Sequence, residues 1–410
     1  MTLHQASSNP SERILLNRPK IGESIVTRIM PAILLLLCFL HSAFAAPKFL
    51  TISDIHYGSE NKSQQGQDTG DEFLQVTLNQ LQQLSKNVNF ILILGDLPTH
   101  SLFVSTKKEE FEKVVFHGLY EANQEKKPMF YITGNNDSLL GNYQPFESNG
   151  KSPLTFATDW TGACAFCEGL MIDDSHMRSE GYYSSYVISG NKDVVLIAMN
   201  STQLVKPTIF SPKYPNQEQD AAAQFKWLEQ QLQNLHAKQL LIAMHIPPGK
   251  SYVGNPFWQE QYTQNLISLL DQYHSSYEHI TLLSAHTHMD ELRKIHLKDG
   301  RNVYVYSTPS ISRNHHNNPG MKVFTLDRQM AIRNYTTYYT TDLNGWGSEQ
   351  YQALGPTEAI FPNCETQNLL QCLEHLSAEQ VCNFLDQDLF YGVKSARVPL
   401  NVCDKTFMVN

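Results

Sequence analysis

Seven short runs of aliphatic and β-branched residues, almost uninterrupted by polar positions, limit the possible folds of this chain more than any other feature. They are Phe49 to Ser53, Phe90 to Leu94, Met129 to Thr133, Val194 to Met199, Leu240 to Met244, Ile280 to Ser284 and Val303 to Ser307. A strand that faces water on one side alternates apolar and polar residues, whereas one that is apolar throughout is buried on both faces. Between the runs lie stretches long enough for covering helices. The clearest starts at Asp220, which is placed to cap a helix whose Phe225, Leu228, Leu232 and Leu235 fall on one face. From Ala46 to Asp342 this alternation predicts an α/β domain, residues 46–342, with the runs at the centre of a layered sandwich. Beyond it Gly345, Gly347, Gly355 and Pro356 mark a loop-rich passage, followed by short amphipathic segments, Thr366 to His375 and Ser377 to Leu385. Residues 343–410 are therefore expected to form a small helical C-terminal subdomain.

The N-terminal segment 1–45 is excluded from the fold. Between Arg28 and Pro47 a basic flank, a short apolar run from Ala32 to Leu40, and the small residues Ala43 and Ala45 have the layout of a signal peptide cut before Ala46. The run is far shorter than the roughly 20 residues of a membrane-spanning helix, so no stable span is expected, while a weak contact with membrane lipid stays open as an expectation. Met30 begins a more typical signal peptide than Met1, which suggests that residues 1–29 are an over-extended start. The expected location is thus outside the cytoplasm: extracellular, periplasmic or lumenal. Of seven cysteines, Cys38 leaves with the signal peptide. The six that remain predict three disulfides, with Cys164 and Cys167 paired locally and Cys364, Cys372, Cys382 and Cys403 stapling the C-terminal segment. A zinc site at CxxC would need a second such pair, and the other cysteines do not supply one. A formal net charge of -9 gives no basic footprint for a nucleic-acid polymer. Asn61, Asn200 and Asn334 fit the glycosylation sequon.

Polar residues follow the runs in a regular manner. Asp54 and His56 come after the first, Asp96 after the second, Asn135 after the third, His245 after the fifth, and His286 and His288 after the sixth. Loops past the C-terminal ends of strands form the ligand crevice of open α/β sheets, so these residues can converge on one site. Any one of them alone is weak evidence, and TISDIH by itself is more often a surface loop. A carboxylate can bridge two divalent ions while imidazoles and an amide carbonyl complete each shell, and Asp96 is the natural bridge. Two such ions lower the pKa of a shared water, aim the resulting hydroxide at phosphorus and neutralise phosphoryl charge. There is no GxSxG elbow and no Walker loop, and export disfavours a thiol nucleophile.

In its order DIH, GD, GNN, H, HTH the chain resembles the calcineurin-like metallophosphoesterases. More narrowly, Gly95-Asp96-Leu97-Pro98-Thr99-His100, His245-Ile246-Pro247-Pro248-Gly249, His286-Thr287-His288-Met289-Asp290-Glu291 and Asn318-Pro319-Gly320 look like the acid sphingomyelinase-like phosphodiesterases, over about Lys48 to Asp342. The resemblance implies a four-layer α/β/β/α sandwich and a two-zinc site. Asp54, His56 and His288 would hold one ion, Asn135, His245 and His286 the other, with Asp96 shared and His100 as the leaving-group acid. Two departures matter. Where the family has GNH, this chain has Gly134-Asn135-Asn136-Asp137; Asn136 cannot deliver a proton but can donate an amide hydrogen bond to a phosphoryl oxygen. GNND also occurs in polyphosphatase-like relatives. Acid sphingomyelinase itself carries a lipid-presenting saposin module, whereas only a signal peptide is expected before Lys48. The expected substrate is therefore a soluble phosphodiester or nucleotide, for example a CDP-choline-like diester, rather than membrane sphingomyelin.

His100 has a bland alternative, a hydrogen bond to a strand end. His315 and His316 could flank the phosphate, although adjacent histidines in polar loops are more often solvated. Tyr143, Phe146, Tyr252, Phe257 and Trp258 could wall the substrate or simply pack the core. The leading expectation is a secreted di-metal phosphodiesterase. Its alternatives are a phosphomonoesterase or polyphosphatase on the same site, and a non-catalytic phospholigand-binding protein suggested by Asn136. An acidic optimum, implied by resemblance alone, would require zinc to keep histidines of ordinary pKa about 6.5 deprotonated.

Overall fold

The computed structural model describes residues 46–59, 66–100, 107–340, 352–354, 369–386 and 403–410. The expected signal peptide, the 342/343 boundary, Cys364 and the Asn61 sequon lie outside them. The strands run β1 (Lys48–Ile52), β2 (Phe90–Ile93), β3 (Met129–Tyr131), β4 (Cys164–Ala165), β5 (Met171–Asp173), β6 (Tyr183–Ile188), β7 (Asn191–Ala198), β8 (Ala237–Ala243), β9 (Tyr277–Ser284), β10 (Leu292–His296), β11 (Asn302–Ser307), β12 (Gly320–Leu326), β13 (Ile332–Tyr339), β14 (Gln352–Leu354) and β15 (Met408–Val409). All seven apolar runs lie on strands. The long helices are α1 (Asp71–Ser85), α2 (Lys108–Ala122), α3 (Gln217–Asn234) and α4 (Glu260–Tyr273).

Two mixed sheets result, ordered β14-β13-β12-β1-β2-β3-β4 and β15-β10-β11-β9-β8-β7-β6-β5. In the first, β1, β2 and β3 are parallel neighbours; in the second, β7, β8, β9 and β11 are. Side-chain alternation explains why these strands lack a polar face. Leu196, Ala198, Leu241 and Ala243 join a core shared with Phe49 and Ile91 of the first sheet and Leu81 and Leu119 of α1 and α2. Their neighbours Val195, Ile197, Leu240 and Ile242 join a second core with Phe225 and Leu228 of α3 and Leu266 and Leu270 of α4. The layers are therefore helix, sheet, sheet, helix, and each central aliphatic side chain contributes about 1.5–3 kcal/mol by leaving water.

Some local expectations change. Helix α3 begins at Gln217 with Asn216 before it, so Asp220 is in the first turn rather than at the cap; there, with Glu218, it faces the positive end of the helix dipole. Leu235 ends the helix in an extended conformation. The C-terminal segment contains α5 (Leu369–His375), α6 (Ala378–Asp386) and the short α7 (Cys403–Thr406). It also sends β14 to the edge of the first sheet and β15 to the edge of the second. Leu369, Leu373, Val381 and Phe407 enter the main core. Disulfides link Cys164 to Cys167 and Cys382 to Cys403, and Cys372 is disulfide-bonded as well. Asn200 is 2% exposed and its side chain bonds Glu180 O and Thr202 N, so this sequon is closed in the folded chain.

Candidate active site

The parallel strands of both sheets deliver their following loops to one place, and all seven residues expected as metal ligands meet there. The loop after β1 is stitched to the loop after β2 by Asp54 N–H to Gly95 O at 2.9 Å and His56 N–H to Asp96 O at 3.1 Å. The sheets are tied across the site by His286 N–H donating to Asp54 Oδ2 at 3.2 Å. Five of the residues hold left-handed backbone: Asp54 (φ 48°), His56 (46°), Asp96 (56°), His286 (69°) and His288 (65°). Each costs roughly 1–2 kcal/mol, and such strain persists only where surrounding contacts enforce it. Gly134 permits the closest approach: a Cβ there would meet the backbone and carboxylate of Asp96.

Four of the donor atoms are aimed inward and unpartnered. His56 Nδ1 bonds Pro98 O at 3.0 Å and His245 Nδ1 bonds Leu94 O at 2.6 Å, which turns each Nε2 inward. Asn135 Nδ2 donates to Asn142 Oδ1 at 2.7 Å, which leaves Asn135 Oδ1 facing the site. Asp54 Oδ1, His56 Nε2, Asn135 Oδ1 and His245 Nε2 are buried without a hydrogen-bond partner, an arrangement that costs stability unless a ligand satisfies them. His56 Nε2 is 3.6 Å from both Asp54 Oδ1 and Asp96 Oδ2, His245 Nε2 is 3.2 Å from Asp96 Oδ2, and His288 Nε2 is 3.5 Å from Asp54 Oδ1. Ligands about 2.1 Å from a common tetrahedral ion lie about 3.4 Å apart, so the spacing fits divalent ions. Donor atoms within 4.8 Å of one another group as Asp54, His56, Asp96; Asp96, His245, His286; and His56, His100, His288. Asp96 belongs to two of the groups. The charge balance agrees: against the downward push of burial, the carboxylates of Asp54 and Asp96 raise His56 to about 9 and His245 to about 10. Burial and the neighbouring His245 lower His286 to about 3.

Two carboxylates that were not picked out from the sequence organise this set. Asp137 accepts from Asp96 N (3.0 Å), Leu97 N (2.7 Å), Gly134 N (2.6 Å) and Tyr131 Oη (2.7 Å), thereby tying the loop after β2 to the loop after β3. Its signal was the last residue of GNND. Asp68 accepts from Thr99 Oγ1 (2.7 Å), His100 N (2.8 Å), His100 Nδ1 (3.0 Å), Ser312 Oγ (2.9 Å) and Asn314 Nδ2 (3.1 Å). Against the upward push of burial, the bond from His100 and the nearby His56 hold its carboxyl below the usual carboxylate range. Nothing in the sequence around Asp68 marks it.

His100 is thus fixed through Nδ1, with its ring stacked on His56 at 3.6 Å between centroids. Asn136 donates from its backbone N to Asp96 Oδ1 (2.7 Å) and from Nδ2 to Asp96 Oδ2 (2.9 Å), so its first partner is the central carboxylate. His315 faces the site, 4.2 Å from the His288 ring, whereas the His316 ring lies beneath Gly66. A cleft of about 280 Å³ opens over Asp96, Asn136, His286 and His288. Tyr143, Tyr252, Phe257 and Phe210 wall it; of the other aromatic candidates, Phe146 and Trp258 are core residues at 5% and 0% exposure.

The family model described as calcineurin-like phosphoesterase matches residues 47–290. Among curated proteins of Dictyostelium discoideum, sphingomyelinase phosphodiesterase D is 27% identical over 303 residues, which is 67% of this chain and 61% of that protein. Sphingomyelin phosphodiesterase B is 21% identical over 280 residues, 64% of this chain and 41% of that protein. The chain therefore spans less than two thirds of either relative's length. Among solved structures, a dimetal phosphatase from Danio rerio aligns with a TM-score of 0.46 at 13% identity, covering 76% of this chain and 99% of that one.

Proposed function

The chain belongs to the calcineurin-like phosphoesterase family, and on that premise we propose that it is a metal-dependent phosphodiesterase, exported from the cytoplasm, that hydrolyses a small soluble phosphodiester or nucleotide. The observation that carries the reading is the set of buried, unpartnered oxygen and nitrogen atoms of Asp54, His56, Asn135 and His245 converging around Asp96. Asp54, His56 and His288 would hold one ion and Asn135, His245 and His286 the other, with Asp96 common to both. A donor set of imidazole, carboxylate and amide oxygen suits zinc. Bound, the ions supply an activated water and neutralise phosphoryl charge.

The chain's own residues do the rest. Leu94 O and Pro98 O fix the tautomers of His245 and His56. With Nδ1 held by Asp68, His100 has Nε2 left to give a proton to the leaving oxygen, which matters most when the leaving alkoxide is poor. Asn136 fixes Asp96 and lines the cleft, where its remaining amide hydrogen can meet a phosphoryl oxygen. The aromatic wall suits a flat or cationic leaving group. Both curated relatives are named as phosphodiesterases, which supports a diester over a monoester. The disulfides support an oxidising compartment.

The test is turnover by zinc-loaded protein of bis-p-nitrophenyl phosphate, ATP, CDP-choline, p-nitrophenyl phosphate, polyphosphate and sphingomyelin in detergent, with Asp96→Asn as the blank. Chelator-sensitive diester cleavage that Asp96→Asn abolishes is the expected result. Preference for the monoester or polyphosphate would refute the diester assignment, and silence on every substrate would favour a binding protein.

A further inference from the structure

The cleft opens beside two loops that carry the three most exposed large apolar side chains among the described residues. Lys206 N–H donates to Phe257 O at 2.8 Å, and Val205 pairs with Trp258 in an isolated bridge, so segments 206–211 and 250–257 rise side by side. On them Ile209 is 88% exposed, Phe210 82% and Val253 60%. The first tip is built to hold this posture. Thr208 Oγ1 accepts from the backbone N–H groups of Phe210 and Ser211, each at 3.1 Å, and Ser211 Oγ closes the turn on Lys206 O at 3.2 Å. The turn therefore keeps Ile209 and Phe210 outward. Lys206 and Lys250 stand exposed on the same two segments, with no ion-pair partner among the described residues. Phe210 and Tyr252, one from each segment, also line the cleft, so the apolar tips sit at the mouth of the site.

The shape and charge select the partner. A stable protein interface takes roughly 800 Å² from each side, whereas two narrow loop tips offer protrusions rather than a patch. Protruding apolar residues with basic neighbours suit a surface that they can penetrate: aliphatic and aromatic side chains enter the acyl boundary while lysines remain with anionic headgroups. In a chain with a formal charge of -9, local lysines also decide which face can approach an anionic surface. We propose that Ile209, Phe210 and Val253, flanked by Lys206 and Lys250, dock the protein on an anionic lipid bilayer with the mouth of the cleft turned toward it. This goes beyond the hydrolytic reading and does not depend on it.

The test is flotation of the full chain with phosphatidylcholine vesicles, with and without phosphatidylserine. Wild type is expected to float with the phosphatidylserine vesicles. Ile209→Ser/Val253→Ser should bind about tenfold more weakly, while its melting temperature and its turnover of bis-p-nitrophenyl phosphate stay at the wild-type values. Lys206→Glu/Lys250→Glu should lose the preference for phosphatidylserine. The proposal is overturned if wild type stays unbound, if the apolar double variant floats equally well, or if neutral vesicles bind as tightly. It is also overturned by a concentration-dependent dimer that the apolar double variant abolishes, since the tips would then cover each other. Flotation by a protein inactive on every diester would support docking and reject only the hydrolytic reading.

Discussion

Asp137→Asn should weaken both the fold and the metal site, because this carboxylate holds the two loops that present Asp96 and Asn135. Its Oδ2 accepts from Asp96 N, Gly134 N and Tyr131 Oη, and its Oδ1 from Leu97 N. An asparagine has one acceptor oxygen, and its NH2 group must face a donor whichever way it is flipped. The smaller loss puts the NH2 against Leu97 N. That removes one bond to a charged acceptor, about 1.5–3 kcal/mol, and strands a buried N–H, about 1–3 kcal/mol. A total of about 2.5–6 kcal/mol follows. For a compact unit from Ala46 to Asn410 the melting entropy is about 0.8 kcal/mol/K, so the melting temperature should fall by about 3–8 °C. Because Asp96 N–H is one of the donors, and with Asp96 as the proposed shared ligand, affinity for added zinc should fall about 10- to 100-fold, the usual effect of losing a residue that orients a ligand. Differential scanning calorimetry and competition with a zinc chelator read the two effects. A variant that melts within a degree of wild type and retains its zinc affinity would refute the reasoning.

If His100 delivers the leaving-group proton as proposed, Asp68→Asn, which removes the carboxylate that holds His100 Nδ1, should lower turnover of a diester with a poor alkoxide leaving group by about tenfold or more and leave p-nitrophenyl diester turnover nearly unchanged; equal losses on both substrates would contradict this. Glu180, half-buried beside Asp220, is raised by burial and by that neighbour to about 7. Its folded-state pKa lies above the unfolded value, so its contribution to stability is present below about pH 4.5 and is lost as the pH rises toward 7. Glu180→Gln should flatten the fall in melting temperature between pH 5 and pH 7.5, each about half a unit above an end of that window; an unchanged difference between the two pH values would count against it.

The sandwich core was legible because its information is local. Runs such as Phe90 to Leu94 and Leu240 to Met244 are apolar at every position, and only strands buried on both faces tolerate that. The polar residues that follow them were legible for a related reason: parallel strands send their following loops to one side, so order along the chain becomes proximity in space. Asp137 was half-visible as the end of GNND, but its neighbours in sequence do not reveal that Asp96 N and Leu97 N would be its donors. Asp68 was invisible, because its partners Ser312 and Asn314 are more than 240 residues away. Asn136 shows the same limit: residue type allowed a phosphate contact, and only the fold set its amide against Asp96. His315 and His316 are adjacent and chemically identical, yet a left-handed backbone at His316 (φ 61°) accompanies their divergence, one ring toward His288 and the other under Gly66. The sequence by itself determined which residues must be buried and which chemistry the strand ends could carry, since both follow from side-chain type and period. Which carboxylate orients which ligand, and which of two neighbouring rings enters the cleft, only the tertiary structure decided, because those contacts join residues whose separation along the chain carries no local signal.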